Sequence, residues 1–210
     1  MNKRTFTWAA LFLSLMAMFT FTSCSDDDDD APGDNKLEVK SVTLPNPGYG
    51  PDNWIYFSLS EGKILSGINE SNRKTNKTWD LAFDRYNVRT NSGLSGEGLG
   101  GALDTKKDVL EAVRSVPAGE FTTDEMGSVT SSMESFPPPS IDTPLNGLLA
   151  DAIKFQGPPP TYIPNNHVYI IRTHDGKYAK LQITSFANNK GETGHLQFSY
   201  VYQPNGSKNF

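Results

Sequence analysis

Apolar residues alternate with polar ones through much of the C-terminal third, and that period of two predicts strands. Val168–Arg172 (VYIIR) reads as a buried strand, and His174-Asp175-Gly176-Lys177 as a turn. Tyr178–Phe186 then returns, with Ala179, Leu181 and Ile183 on one face. Asn188-Asn189-Lys190-Gly191 makes the next loop, and Leu196, Phe198, Tyr200 and Tyr202 alternate along a last strand. The pattern predicts an antiparallel meander. Nearer the N-terminus, Leu37–Val39 and Val42–Leu44 predict a kinked first strand that Pro45 and Pro47 end. Trp54–Leu59 (WIYFSL) is apolar on both faces, Ile55, Phe57 and Leu59 on one and Trp54 and Tyr56 on the other, which places it inside the sheet system.

Thr78–Gly93 (TWDLAFDRYNVRTNSG) is the stretch around which the rest is organised. Trp79, Leu81 and Phe83 alternate with Asp80, Ala82 and Asp84, and then Tyr86 and Val88 carry the apolar character on the opposite parity. A one-residue slip moves later side chains to the other face, so one long strand with a bulge or twist near Asp84–Arg85 is predicted.

Helical spacing is rarer. Val109, Val113 and Val116 fall at i, i+4 and i+7 in Asp108–Val116, with Thr105 and Asp108 as capping residues and Pro117 as the stop, so a helix is predicted there. A second is predicted over Leu145–Ile153, with Thr143 as N-cap and Pro144 at its first position. Before the first, five glycines from Gly93 to Gly101 predict a flexible loop, and between the two Phe121–Pro139 has little period. Gly157 and Pro158–Pro160 predict a stiff extended connection. The whole is a mainly β protein of antiparallel sheets, with one or two short helices and projecting loops that form a ligand cleft; its 18 glycines and 14 prolines agree with a loop-rich chain.

The N-terminus has its own logic. Lys3 and Arg4 precede an apolar run from Trp8 to Phe21, and Phe21-Thr22-Ser23-Cys24 ends it at the chain's one cysteine. This resembles a bacterial lipoprotein signal: residues 1–23 are the signal peptide and Cys24 the lipidated residue, a membrane anchor. Asp26–Asp30 is a like-charge block that stays solvated and resembles the acidic signal for the outer leaflet, so residues 24–36 are read as a tether and residues 37–210 as the domain. Without residues 1–23 the chain has 17 basic and 24 acidic side chains, net −7, and six of those acids precede Asn35. No basic footprint for nucleic acid results.

The catalytic inventory is poor. With Cys24 consumed there is no free thiol, no Gly-x-Ser-x-Gly, and His167, His174 and His195 lack metal-site spacing, so a hydrolase has the least support and no enzyme is expected. His167, at a loop exit before VYIIR, is the histidine least accounted for by packing. Met126 and Met133 lie in the polar, aperiodic stretch where a core filler has little to fill, and a thioether sulfur is also an axial ligand for haem iron.

Taken in order, Trp54–Phe57 (WIYF), Thr78–Gly93, Pro158–Tyr162 (PPPTY), Val168–Lys177 (VYIIRTHDGK) and Phe198–Tyr202 (FSYVY) resemble the HmuY family, haem-binding lipoproteins of the Bacteroidetes cell surface. The resemblance implies a mostly β fold with a loop-built cleft and a hemophore-like protein at the outer membrane. It would capture haem, host haem proteins being one source, and pass it to a TonB-dependent receptor. It further implies two axial ligands drawn from histidine or methionine. The first falls between the helix and the proline stretch, which fits Met133 or Met126. The second falls close before PPPTY, where this chain reads Lys154-Phe155-Gln156-Gly157. The open alternatives are Met126 with Met133, Met133 with His167, another tetrapyrrole, or no haem. Phe136, Phe155 and Tyr162 are the candidate pocket residues. The rival reading is a surface glycan-binding or adhesion lipoprotein on the same scaffold, which an exposed Trp54 or Tyr162 platform would favour.

Overall fold

The structure is a computed structural model that describes residues 37–210, Pro158 apart. The expected signal peptide, Cys24 and the tether therefore lie outside the described residues. Two antiparallel sheets make the body. The first has five strands in the order β1-β13-β12-β11-β6: β1 Lys40–Thr43, β6 Gly101–Asp104, β11 Val168–Arg172, β12 Tyr178–Ala187 and β13 Thr193–Gln203. The second has four in the order β3-β2-β4-β5: β2 Ile55–Ser58, β3 Lys63–Leu65, β4 Leu81–Asp84 and β5 Asn87–Thr90. Two separate hairpins complete the list, β7 Glu125–Thr130 with β8 Ser140–Leu145, and β9 Ile153–Gln156 with β10 Thr161–Pro164.

The C-terminal meander stands where the alternation put it. Its inward side chains, among them Tyr169, Ile171, Leu181, Ile183, Phe198 and Tyr200, pack against Phe57, Leu59, Leu81 and Phe83 of the second sheet in one buried cluster. Phe83 stacks on Phe198 with ring centroids 5.3 Å apart, and Phe57 meets Phe198 edge-on at 5.5 Å. Burying a side chain of this size stabilises by about 1.5–3 kcal/mol. The opposite face of the second sheet carries Tyr56 and Ala82, which with Trp54 and Trp79 pack beneath Val129 and Leu145 of the β7–β8 hairpin. The two-faced reading of Trp54–Leu59 is thus realised, one face in each cluster.

The predicted single strand with a bulge is instead two strands, β4 and β5, joined by a tight turn at Arg85–Tyr86. Phe83 pairs with Val88 and Leu81 with Thr90, odd numbers facing even ones, so the apolar parity must change across the turn. Trp79 also departs from the Leu81–Phe83 face: it precedes β4 and joins the other cluster, its Nε1 donating to the Arg73 carbonyl at 3.0 Å.

Both helix expectations need correction. Asp108–Val116 holds only a 3₁₀ turn, Leu110–Ala112, with Val113 extended. Leu110 and Val113 cover the outer face of the five-stranded sheet while Val109 is exposed, so the valine spacing marks contact points of an irregular strap. Its β-branched residues favour that backbone over a helix. The second helix, α1, is a single turn at Gly147–Ala150. Its N-cap is Asn146, whose Oδ1 accepts from the Leu149 amide, while Thr143 and Pro144 belong to β8 and Ile153 opens β9. Gly157, Pro159 and Pro160 lie in the β9–β10 turn, with Gln156 opposite Thr161, where a stiff extended connection was expected.

The glycine run is close-packed where flexibility was expected. A Cβ on Gly96 would sit 1.9 Å from Asn91 Oδ1, and one on Gly100 2.6 Å from the Asn91 carbonyl. Asn91 is fully buried and its Nδ2 donates to the carbonyls of Asn76 and Trp79, so glycine is needed for the loop's approach.

At the β11–β12 turn, buried Asp80 accepts from the Leu59 amide at 2.8 Å and from the His174 amide at 3.1 Å, and pairs with His174 Nδ1 at 2.7 Å. The hydrogen bond with Asp80 raises the His174 pKa above its ordinary value, burial opposing it. A raised folded pKa gives stability that is full below about pH 6.5 and is lost as pH rises through the folded value. The His174→Gln variant is therefore expected to lose about 1–2 kcal/mol at pH 5.5, with the deficit shrinking towards pH 9. Urea melts of both proteins across that range check this; a deficit that grows with pH would contradict it.

Candidate functional site

The β4–β5 turn is the meeting point of the two hairpins. Arg85 Nη2 donates to the Thr130 carbonyl at the end of β7 at 2.6 Å. The same guanidinium lies 4.1 Å from the centre of the Tyr49 ring and 5.8 Å from that of Tyr86, its immediate neighbour. Its counter-ion is buried Asp84, 3.4 Å away. Burial raises the Asp84 carboxyl pKa, with Arg85 opposing.

From Tyr86 an aromatic wall runs to the second hairpin. Tyr86 lies 5.8 Å from Tyr162 of β10, and Tyr162 lies 5.4 Å from Phe155, its cross-strand partner on β9. Phe186 of β12 backs the wall, 4.6 Å from Tyr162 and 5.4 Å from Tyr86. Burial also pushes the phenol pKa values of Tyr86 and Tyr162 up, so neutral phenols face this surface.

The base of the β7–β8 hairpin is pinned as firmly. Arg89 of β5 is fully buried, lies 3.7 Å from the Trp54 ring centre and donates through Nε to the Pro144 carbonyl at 2.7 Å. Its other nitrogens donate to Thr143 Oγ1 and Glu70 Oε1. Just before β7, buried Asp124 accepts from the Thr90 amide at 2.9 Å, Thr90 Oγ1 at 2.6 Å and Asn146 Nδ2 at 3.0 Å.

The candidates from sequence separate into two groups. Phe155 and Tyr162 are brought into contact, while Met133 and Phe136 lie in the 131–139 loop that β7 and β8 present just beyond the Arg85 contact. Ser131 and Pro139 close that loop with an amide-to-carbonyl bond of 2.9 Å. Met133 and Phe136 are exposed, Phe136 almost wholly at 96%. Met126 stands apart, opposite Pro144 at the base of the same hairpin. At about 3.3 Å per residue the four steps from Met126 to Thr130 span roughly 13 Å, with Met133 further on still. His167 follows β10 at the end away from the β9–β10 turn, and its Nδ1 is held 2.9 Å from Asp104 Oδ2. Neither Met126 nor His167 has a contact with the Tyr86–Tyr162–Phe155 wall.

Sequence reading missed Tyr49, Arg85 and Tyr86. The usable signal was Arg85 itself: an arginine before an aromatic residue, at the parity change, where a two-residue turn between paired strands satisfies the pattern without a bulge. Several exposed large apolar side chains belong to these segments. Tyr49, Met133, Phe136, Phe155 and Ile163 all reach solvent from these hairpins and the Tyr49 loop. An apolar, hairpin-borne surface beside a partly buried aromatic wall is the form of a ligand-binding face.

Fold and surface together define a two-sheet β protein that offers paired hairpins for binding. The chain belongs to the HmuY family: the family model described as HmuY protein matches residues 51–200. Solved structures agree on the fold. A Bacteroides vulgatus protein assigned as HmuY-like and heme-binding is 24% identical, with TM-score 0.63 over 78% of this chain and 91% of its own. The apo HmuY analog of Tannerella forsythia is 24% identical, with TM-score 0.63 over 80% of this chain and 97% of its own. A Bacteroides fragilis protein assigned as a lipoprotein is 26% identical, with TM-score 0.63 over 82% and 94%. No curated protein matches the chain.

Proposed function

We propose that this protein binds haem without turnover, as a lipid-anchored capture protein at the cell surface. The reading rests on the exposed Met133 thioether, on the loop that follows the Arg85–Thr130 contact, and on the Tyr86–Tyr162–Phe155 wall that starts at the same β4–β5 turn. A soft sulfur and flat aromatic surface suit the iron and the macrocycle respectively. Met133 would hold the iron through Sδ, while Phe155, Tyr162 and Phe136 would face the porphyrin. Bound haem would supply the iron centre that the Met133 sulfur would hold. Family membership supports the same ligand, and Cys24 would supply the anchor; a TonB-dependent receptor is the natural recipient.

Of the two platforms on which the glycan-binding alternative rests, Trp54 is buried against Arg89 and cannot stack on a sugar, while Tyr162 is half-buried in the aromatic wall. Calorimetric titration of the mature chain with haem tests the reading. Saturable uptake near one haem per chain supports it, and absence of heat and of co-elution with haem overturns it.

A further inference from the structure

Arg85 occupies the first position of the two-residue β4–β5 turn with φ 55°. Glycine and asparagine take this left-handed conformation readily, whereas a long side chain with a Cβ does so at a cost. Strain of this kind persists where the surroundings over-determine it, and it gathers at ligand clamps. Here the surroundings are specific. Arg85 is buried, donates to Thr130 on the methionine hairpin, and sets its planar face against Tyr49 beside Tyr86 on the aromatic wall. With Asp84 neutralising its charge, the guanidinium serves geometry more than ligand charge.

We propose that Arg85 is a positioning residue that fixes the β7–β8 hairpin against the Tyr49 loop at the turn from which the aromatic wall starts. One guanidinium serves both: Nη2 holds the hairpin through the Thr130 carbonyl, and the planar face lies on the Tyr49 ring. Its functional consequence rests on the haem reading; the clamp itself does not. Lysine cannot replace it, because an ammonium has no planar face to lay on Tyr49 while it donates to Thr130.

The test uses the mature chain with Arg85→Gly, which removes the backbone strain together with the clamp, and Arg85→Lys. Both variants are expected to raise amide exchange at Ser131 about tenfold or more, with β11–β13 exchange unchanged. Both are expected to weaken haem binding about tenfold with the Soret position kept, since the iron ligand is untouched. Ser131 exchange and haem affinity within about twofold of the parent chain in both variants would overturn the proposal. If the parent chain takes up no haem, the functional reading falls, and Ser131 exchange alone decides the clamp.

Discussion

Replacing Arg89 with methionine is expected to cost the fold about 3 kcal/mol, because two buried acceptors lose a charged donor. Arg89 is fully buried and serves three elements at once: Glu70 from the polar loop, Thr143 and Pro144 from β8, and Trp54 beneath its planar face. Methionine fills much of the volume but leaves the Pro144 carbonyl and the Thr143 hydroxyl without a donor. For a domain of this size the loss corresponds to a fall of about 10 °C in melting temperature. Burial pushes the Glu70 pKa up, but Arg89 and Arg73 outweigh it and hold the carboxyl below its ordinary value. A lowered folded pKa gives stability present above the unfolded value and lost as pH falls through the folded one. The Arg89→Met penalty should therefore shrink below about pH 4. Thermal melts at pH 7 and pH 3.5 check both parts, and a shift under 2 °C at pH 7 would refute the assignment.

Asp124→Ala is the second large effect, about 3 kcal/mol by loss of hydrogen bonds to a buried carboxylate. The Thr90 amide, the Thr90 hydroxyl and Asn146 Nδ2 would all lose their acceptor. Asn146 is also the N-cap of α1, so the change loosens β5, the start of β7 and the cap together. Burial raises the Asp124 pKa against those same hydrogen bonds. The native state thus favours the protonated form, and that contribution is full below the unfolded pKa and lost as pH rises through the folded one. Acidification should therefore widen the gap between wild type and variant, the opposite of its effect on Arg89→Met. Chemical denaturation at pH 7 and pH 5 measures the difference.

How far the fold was legible follows from where apolar periodicity was strong. The β11–β13 meander was readable because Leu181, Ile183, Phe198 and Tyr200 bury one face over long strands. β7 and β8 were not, because EMGSVT and SIDTPL bury only Val129, Thr143 and Leu145 between them. A hairpin that packs through so few side chains leaves little pattern in sequence, although Arg85, Arg89 and Asp124 hold it from buried positions. The Asp108–Val116 helix failed for the opposite reason. Val109, Val113 and Val116 have helical spacing, yet only Val113 is deeply buried. Of the candidate site, Met133, Phe136, Phe155 and Tyr162 could be named from residue type. What joins their hairpins could not: the Arg85 clamp depends on contacts between residues about 45 positions apart.

The central claim is that Met133 marks a haem-binding face, and an absorption titration addresses it most directly. The mature chain, Met133→Ala and Met126→Ala would each be titrated with ferric and ferrous haem. The account predicts a shifted Soret band for the parent chain, kept in Met126→Ala and lost in Met133→Ala with affinity down about a hundredfold. An unshifted band for the parent chain, or a Met133→Ala spectrum identical to it, would contradict the account.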